Sequence, residues 1–435
     1  MNSLRPFQIV LLAAFGLLAV VALVFLSLYQ VSQQEETQIY GDRVLIWGTL
    51  SQSAFKAVFQ DITAENKPFN VVQYEEISKT SFDEELVNAI AEGRSPDLIV
   101  LGADALVLHR AKILPIPYDS FPEREFRDTF VDAAEIFAQA QGIYGVPFAI
   151  DPLVMYWNRD LFASNGLAQP PTTWEAVVGD VVPRLTVRNT NRDVLQSGLS
   201  FGEYRNVESA KKILMMLALQ TGSKMVETEG ARYKVVLNES VGNTTSSPFE
   251  AVVQFYTDFS NVNSPLYSWN RAMVSAKGSF LGGTLGLYFG LGSEYVDIAA
   301  KNPNLNFDVA QVPQGASATI LRTYGDVYAL AIPKASPNPQ GAFAVARLIT
   351  SAQYAQPLSV GLTMAPARRD LLGLGETNVF RKVALQSALI ARSWLDPNPK
   401  KSDGVLMQMV EDVVSNRERV SIAVKDAIER LVLTY

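Results

Sequence analysis

Apolar positions along this chain fall into two rhythms that alternate. RVLIW (43–47) is a continuous apolar run, the pattern of a strand covered on both faces. Ala54, Phe55, Val58, Phe59 and Ile62 then recur at helical spacing. NVVQY (70–74) predicts a second strand, Phe82, Leu86 and Ile90 a second helix, and PDLIVL (96–101) a third strand. Alternation of this kind implies a mostly parallel sheet with right-handed crossovers. Ligands of such sheets bind beyond the carboxyl ends of the strands. Two loops qualify, Gly48 to Gln52 and Gly102-Ala103-Asp104.

The second half is patterned alike. Thr172-Thr-Trp-Glu175 reads as a capping box opening a helix. SGLSFG (197–202) predicts a short strand, and Val207, Ala210, Ile213, Leu214 and Leu217 a helix. Ser247-Pro-Phe-Glu250 opens another helix, with Pro at its first position. LGLYFG (285–290), NFDVAQV (306–312) and DVYALAIP (326–333) predict strands, the last followed by a helix bearing Ala342, Val345, Ala346 and Ile349. No repeat of fixed period is visible.

Two stretches break the rhythm. YGVPFAIDPLVMYWNRDLF (144–162) sets Asp151 and Pro152 between two strand-like apolar runs. A buried strand should carry neither an unpaired carboxylate nor a proline. The chain is therefore expected to leave one sheet and enter another here, with Asp151 at the seam and facing water. The other stretch is Ile9 to Leu28, twenty residues without a charge. A helix of that length spans roughly 30 Å, the thickness of a bilayer core. Arg5 before it and Glu35 and Glu36 after it place the rest of the chain outside the cytoplasm. No small-x-small cleavage site follows Ser27, which favours an uncleaved anchor over a signal peptide. The expected layout is a cytoplasmic terminus (1–8), a transmembrane signal anchor (9–29) and a polar linker (30–42).

Composition narrows the chemistry. At 435 residues the chain needs more than one core. Its net charge of −7, with no basic tract, argues against nucleic acid as a partner. The absence of cysteine excludes disulfides and thiol chemistry. The single histidine, His109, has no nucleophile elbow or ligand spacing around it and reads as a solvated helix-face residue. GLGS (290–293) is no dinucleotide fingerprint, because Tyr295 takes the place of the third Gly. DPNPKKSDG (396–404) lacks calcium-loop spacing and reads as a surface loop. No metal site or cofactor is expected. Asp104, Asp151 and Glu203 leave open a carboxylate pair for sugar cleavage. Strand-end acids also bind sugar hydroxyls without catalysis, and nothing in the sequence suggests a raised pKa among them.

At this point the residues carry a resemblance. YGVPFAIDPLVMYWNRDLFASNGLAQPPTTWEAV (144–177) resembles the first lobe crossover of the extracellular solute-binding proteins of ABC importers, the maltose-binding-protein-like family. Trp157-Asn158 stands where that family has Tyr-Asn. SPDLIVLGADALVLHRAKILPI (95–116), YGDVYALAIPKASPNPQGAFAVARLITSAQYAQ (324–356) and MAPARRDLL (364–372) resemble further segments in the same order, so the likeness runs from residue 43 to about 395.

The resemblance implies a two-lobed periplasmic-binding-protein-like α/β fold of type II, preceded by the transmembrane helix. The lobes would be 43–150 with 316–371, and 151–312 with 372–435. It places Asp151 on the floor of an interlobe cleft. Thr49, Ser51 and Asp104 would line one wall, and Trp47 is either a wall residue or core. Glu203, Tyr204, Ser293, Tyr324, Gly325 and Asp326 match the facing loops, and Trp394 either stacks on a sugar or packs. Leu101 stands where some relatives have a stacking aromatic. The implied function is non-enzymatic: a monomeric, membrane-anchored receptor that binds a carbohydrate or similar polyhydroxylated solute and docks to ABC permease subunits. A sensory or scaffold module on the same fold is the alternative, and an anchored glycosidase a further one.

Overall fold

The computed structural model describes residues 16–24, 39–229, 232–239 and 247–435. The apolar stretch expected to cross a membrane lies mostly outside them; residues 16–24 are helical and exposed. Among the described residues no helix is long and apolar enough to cross a membrane. The folded body begins before Arg43. Tyr40 is buried in a hydrophobic core, and its carbonyl accepts a hydrogen bond from Asn338 Nδ2 at 2.7 Å. The linker expected over 30–42 therefore stops short of Asp42.

Strands β1 (Val44–Gly48), β2 (Val72–Glu76) and β3 (Leu98–Gly102) lie parallel. Helix α1 (Gln52–Glu65) buries Ala54, Phe55, Val58, Phe59 and Ile62, the five positions its periodicity predicts. Helix α2 (Phe82–Ala91) follows β2. The stretch around Asp151 is not two strands but one, β4 (Val146–Asn158), buried along all thirteen residues. Beyond it come β5 (Val194–Leu199), α3 (Ala210–Gln220), β6 (Leu285–Leu291), β7 (Phe307–Ala310) and β8 (Thr323–Ala331). The main sheet runs β2-β1-β3-β8-β4-β6-β5, with β7 also on β4. Helices α4 (Pro339–Ile349) and α5 (Val379–Ile390) follow.

Strand β4 changes partners along its length. Val146 to Pro152 pair with β8, and Leu153 to Trp157 pair with β6. Pro152 falls at the handover, where a missing N–H is least harmful to the ladders. The hydrophobic interior divides at the same level into two cores. Ile150 belongs to the first and Leu153 to the second; on β8, Val327 belongs to the first and Tyr324 to the second. Ala391 and Trp394 divide likewise on a third connection. Two strands and one loop thus pass between cores side by side. Leu385, Ala388 and Ala391, expected in the second lobe, pack in the first core.

Local signals shifted by a residue or became something else. Thr173, not Thr172, caps its helix, accepting from Ala176 N at 3.2 Å, while Glu175 Oε2 accepts from Ala316 N at 3.0 Å. The segment read as a surface loop at 396–404 starts a helix, Pro399–Val414, capped by the Asn398 side chain. Asp396 beside it is buried. His109 is not solvated: it is buried, hydrogen-bonded through Nε2 to Asp83 Oδ1 at 2.9 Å, and burial lowers its pKa.

Candidate functional site: a carboxylate group at the crossover

The register of β4 and β8 sets Asp151 directly opposite Asp326. Residues so paired have Cβ atoms about 5 Å apart on one face of a sheet, and like charges there repel. Each carboxylate is compensated differently. Asp151, buried to 1% exposure, forms no ion pair among the described residues. It accepts from Ser293 N at 3.0 Å and from Ser293 Oγ at 2.5 Å. The loop after β6 lies close against it at Gly292, where an added Cβ would stand 3.2 Å from Ala384 Cβ and 3.4 Å from Asp151 Oδ1. Asp326 instead pairs with Lys212 Nζ at 2.9 Å.

Burial pushes the Asp151 carboxyl up to about 7; the two Ser293 donors pull the other way, and Asp326 and Glu294 add to the rise. Asp104, on the turn after β3, is also raised, first by burial and then by Asp326, with Lys212 opposing. Burial works against the Lys212 ammonium, but Asp326, Asp104 and Asp151 outweigh it and hold it charged. The sequence had suggested no raised pKa here. It is raised because these acids share one desolvated place, which spacing along the chain does not reveal.

The expected picture of Asp151 as a water-facing residue is corrected: it is enclosed and already bonded. Of the predicted site residues, Asp104, Asp151, Ser293 and Asp326 come together, with Gly325 beside them opposite Pro152. Tyr324 is buried in the second core. Trp47 takes the core alternative: it packs in the first core, its indole N–H donating to Glu75 Oε2 at 2.9 Å. Trp394 also packs: it is buried in the second core, its indole N–H donating to Tyr435 Oη at 3.1 Å and Lys211 Nζ 5.4 Å from its ring centroid. Tyr204 donates to Asp403 Oδ1 at 2.7 Å, and buried Glu203 meets Arg271 at 3.4 Å. Thr49 is half-buried; exposed Ser51 shares a 2.8 Å hydrogen bond with Ser53. Among the described residues, the hydrogen bonds of the Trp47, Ser51, Glu203, Tyr204 and Trp394 side chains go to partners other than the Asp151–Asp326 pair.

Lys212 was missed. Its signal was present, two lysines in the otherwise apolar AKKILMML of α3. Lys211 takes a separate role, donating to Ser402 Oγ at 2.8 Å and pairing with buried Asp396. Among the described residues, no group of three or more His, Asp or Glu side chains is arranged to hold a metal ion.

The family model of the bacterial extracellular solute-binding proteins matches residues 48–356, and the chain belongs to that family. It is a family of binding proteins, not of enzymes. Solved structures bear out the two-lobed α/β fold. A cyclo/maltodextrin-binding protein complexed with maltotetraose superposes with a TM-score of 0.70 at 16% identity, covering 90% of this chain and 96% of the other. The cyclic α-maltosyl-1,6-maltose-binding protein of Arthrobacter globiformis gives 0.71 at 16% identity, covering 90% and 98%. The extracellular solute-binding protein of Staphylococcus aureus in complex with maltose gives 0.68 at 13% identity, covering 90% and 97%. A binding protein of Brucella abortus (strain 2308) is 28% identical over 127 residues, 29% of this chain and 31% of its own length. The match thus spans under a third of that curated relative.

Proposed function

We propose that this chain is an extracytoplasmic receptor for a carbohydrate or similar polyhydroxylated solute, anchored by residues 9–29 and delivering its cargo, as a monomer, to ABC permease subunits. The observation that carries the reading is the gathering of Asp104, Asp151 and Asp326 where both crossing strands pass from one core to the other. Carboxylates accept strong hydrogen bonds from hydroxyls, two oxygens suiting two neighbouring donors. Lys212 keeps the group from being wholly repulsive, and Ser293 fixes the orientation of Asp151. A solute entering between lobes whose strands act as hinges would draw them together. Family membership and the maltose-type ligands of the superposed structures support the sugar class.

The test is calorimetric titration of the full chain in detergent with maltose, maltotriose and mannobiose, with amino acids and polyamines as controls. Saturable binding of a sugar is expected. Tight binding of an amino acid or polyamine with no sugar bound would overturn the reading. Asp104→Asn, at the half-buried acid of the group, should weaken sugar binding roughly ten- to hundred-fold, as befits one charge-assisted bond. For the anchor, mass spectrometry of membrane-purified protein is expected to find residues 1–29 attached; a mature terminus near residue 30 would remove it. The apolar segment without a cleavage site also favours a sensory or scaffold module. In that case deleting the chain would leave uptake of the bound sugar unchanged.

A further inference from the structure

We propose that a cavity between the two cores, separate from the carboxylate group, binds a small organic anion with a phosphate or carboxylate head through Arg322 and Arg392. The cavity holds about 520 Å³. One wall is Ile136, on the turn Asp132–Phe137; another is the end of α3 with the residues after it, Leu219 to Val226. The loop 317–322 and the segment Arg392–Leu395 close it. Ile136 and Leu395 pack on the first core, and Leu219 and Val226 on the second.

Charge selects the ligand. Arg369 and Arg392 both pair with the single Asp132 carboxylate. Arg322, half-buried on the same wall, makes no hydrogen bond or ion pair through its guanidinium among the described residues; only its backbone is bonded. The other nearby charges are spent. Glu135 pairs with Arg127 at 2.9 Å, and Lys224 on the rim pairs with Glu227 at 2.9 Å. Three guanidiniums therefore share one carboxylate. Burial lowers the Arg392 pKa, and the Arg322 charge adds to that against the pull of Asp132.

A second observation points into the same cavity. Ser393 Oγ is buried there; among the described residues it has no hydrogen bond of good geometry, and the Tyr324 hydroxyl is close enough to interact with it. An incoming anion supplies a bidentate partner for the planar Arg322 guanidinium and a strong acceptor for the Ser393 hydroxyl. The volume exceeds what an inorganic ion needs and falls in the range of small organic ligands. Its apolar walls, Leu219, Ile136 and the Trp394 edge, suit a short carbon body. Because those walls belong to different cores, occupancy is linked to how the cores sit. Linkage then requires that anion and cleft solute change each other's affinity by the same factor.

The proposal does not rest on the sugar reading, since neither Arg322 nor Arg392 belongs to that group. Its test is calorimetry on the full chain in detergent, at constant ionic strength, with glycerol 3-phosphate, glycerate and uncharged glycerol. Saturable binding of at least one anion at millimolar concentration, and none of glycerol, is expected; the stronger of the two identifies the head group. Arg322→Gln should weaken it about ten-fold or more, and Arg322→Lys less, since it keeps charge without the fork. Both variants should melt close to wild type, because among the described residues the Arg322 guanidinium makes no hydrogen bond or ion pair, and its attraction to Asp132 is offset by its repulsion of Arg392. Failure of both anions to bind, binding in Arg322→Gln equal to wild type, or a clear loss of stability in that variant would each overturn the proposal.

Discussion

Two aspartates lie where one core meets the other, and they end in opposite states. Asp151 sits on the continuous strand with neutral donors, both from Ser293, and faces a second carboxylate across the ladder. Its pKa climbs to about 7, burial being the largest cause. Asp132 opens the turn before that strand, 28% exposed and held between Arg369 and Arg392. Burial pushes its pKa up too, but the arginines outweigh it and hold it below the usual carboxylate range. Desolvation acts on both; the charge of the partner decides the sign. The molecule thus carries an acid-rich group rich in acceptors and, elsewhere between the cores, a base-rich one rich in donors.

The largest effect of pH is expected at Asp151. A carboxyl raised in the folded state binds its proton more tightly there than when unfolded. The stability it adds is complete below the unfolded pKa of about 4 and is lost as pH rises through about 7. The loss amounts to roughly 4 kcal/mol by about pH 8. Asp151→Asn resembles the protonated form, so it should be more stable than wild type at about pH 8, by up to that amount, and no more stable at about pH 4. Urea denaturation across this range measures it. Parallel slopes in the two proteins would show that Asp151 is ionised in the fold and that the contrast with Asp132 is false.

Asp132→Ala should behave in the opposite sense. It leaves Arg369 and Arg392 facing each other and Arg322. Removing one partner of a buried pair costs about 3–5 kcal/mol and of an exposed pair about 1 or less. These side chains are 25–34% exposed, so about 2–3 kcal/mol at neutral pH is expected. A depressed carboxyl contributes above its unfolded pKa and loses that contribution as pH falls through the folded one. The gap to wild type should therefore close in strong acid. A gap of equal size at all pH values would mean that Asp132 matters only for packing.

Elements were legible where one element alone decides them. Helix α1 buries the five residues its spacing marks, because its apolar stripe has a single core to face. The seam at Asp151-Pro152 was legible as well, since an acid and a proline are both anomalous in an apolar run. The continuity of β4 was not, because a handover between partners leaves no mark on the strand that stays. The tryptophans show the same limit. Trp47 and Trp394 carry an N–H that a binding site or a core can satisfy equally, and Glu75 and Tyr435 satisfy it here. The arginine cluster was out of reach altogether: Asp132 meets Arg369 and Arg392 across 237 and 260 residues of chain.

The smallest change sharpens the contrast most finely. Ser293→Ala keeps the backbone N–H on Asp151 Oδ1 and removes only the hydroxyl on Oδ2. That hydroxyl favours the ionised form, so its loss should push the Asp151 pKa further up, by about one unit. At low pH the carboxyl is protonated in either protein and the two should be nearly equal in stability. Above about pH 8 the variant should be weaker by about 1–2 kcal/mol, because an ionised carboxylate then lacks one of its two donors. In the Asp151→Asn background the same substitution should show no such pH dependence, there being no charge to support. Measured over the same pH series, a deficit that is flat with pH would assign the hydroxyl to packing against the β6 loop. A deficit that grows with pH and vanishes in Asp151→Asn would tie it to the carboxylate it touches.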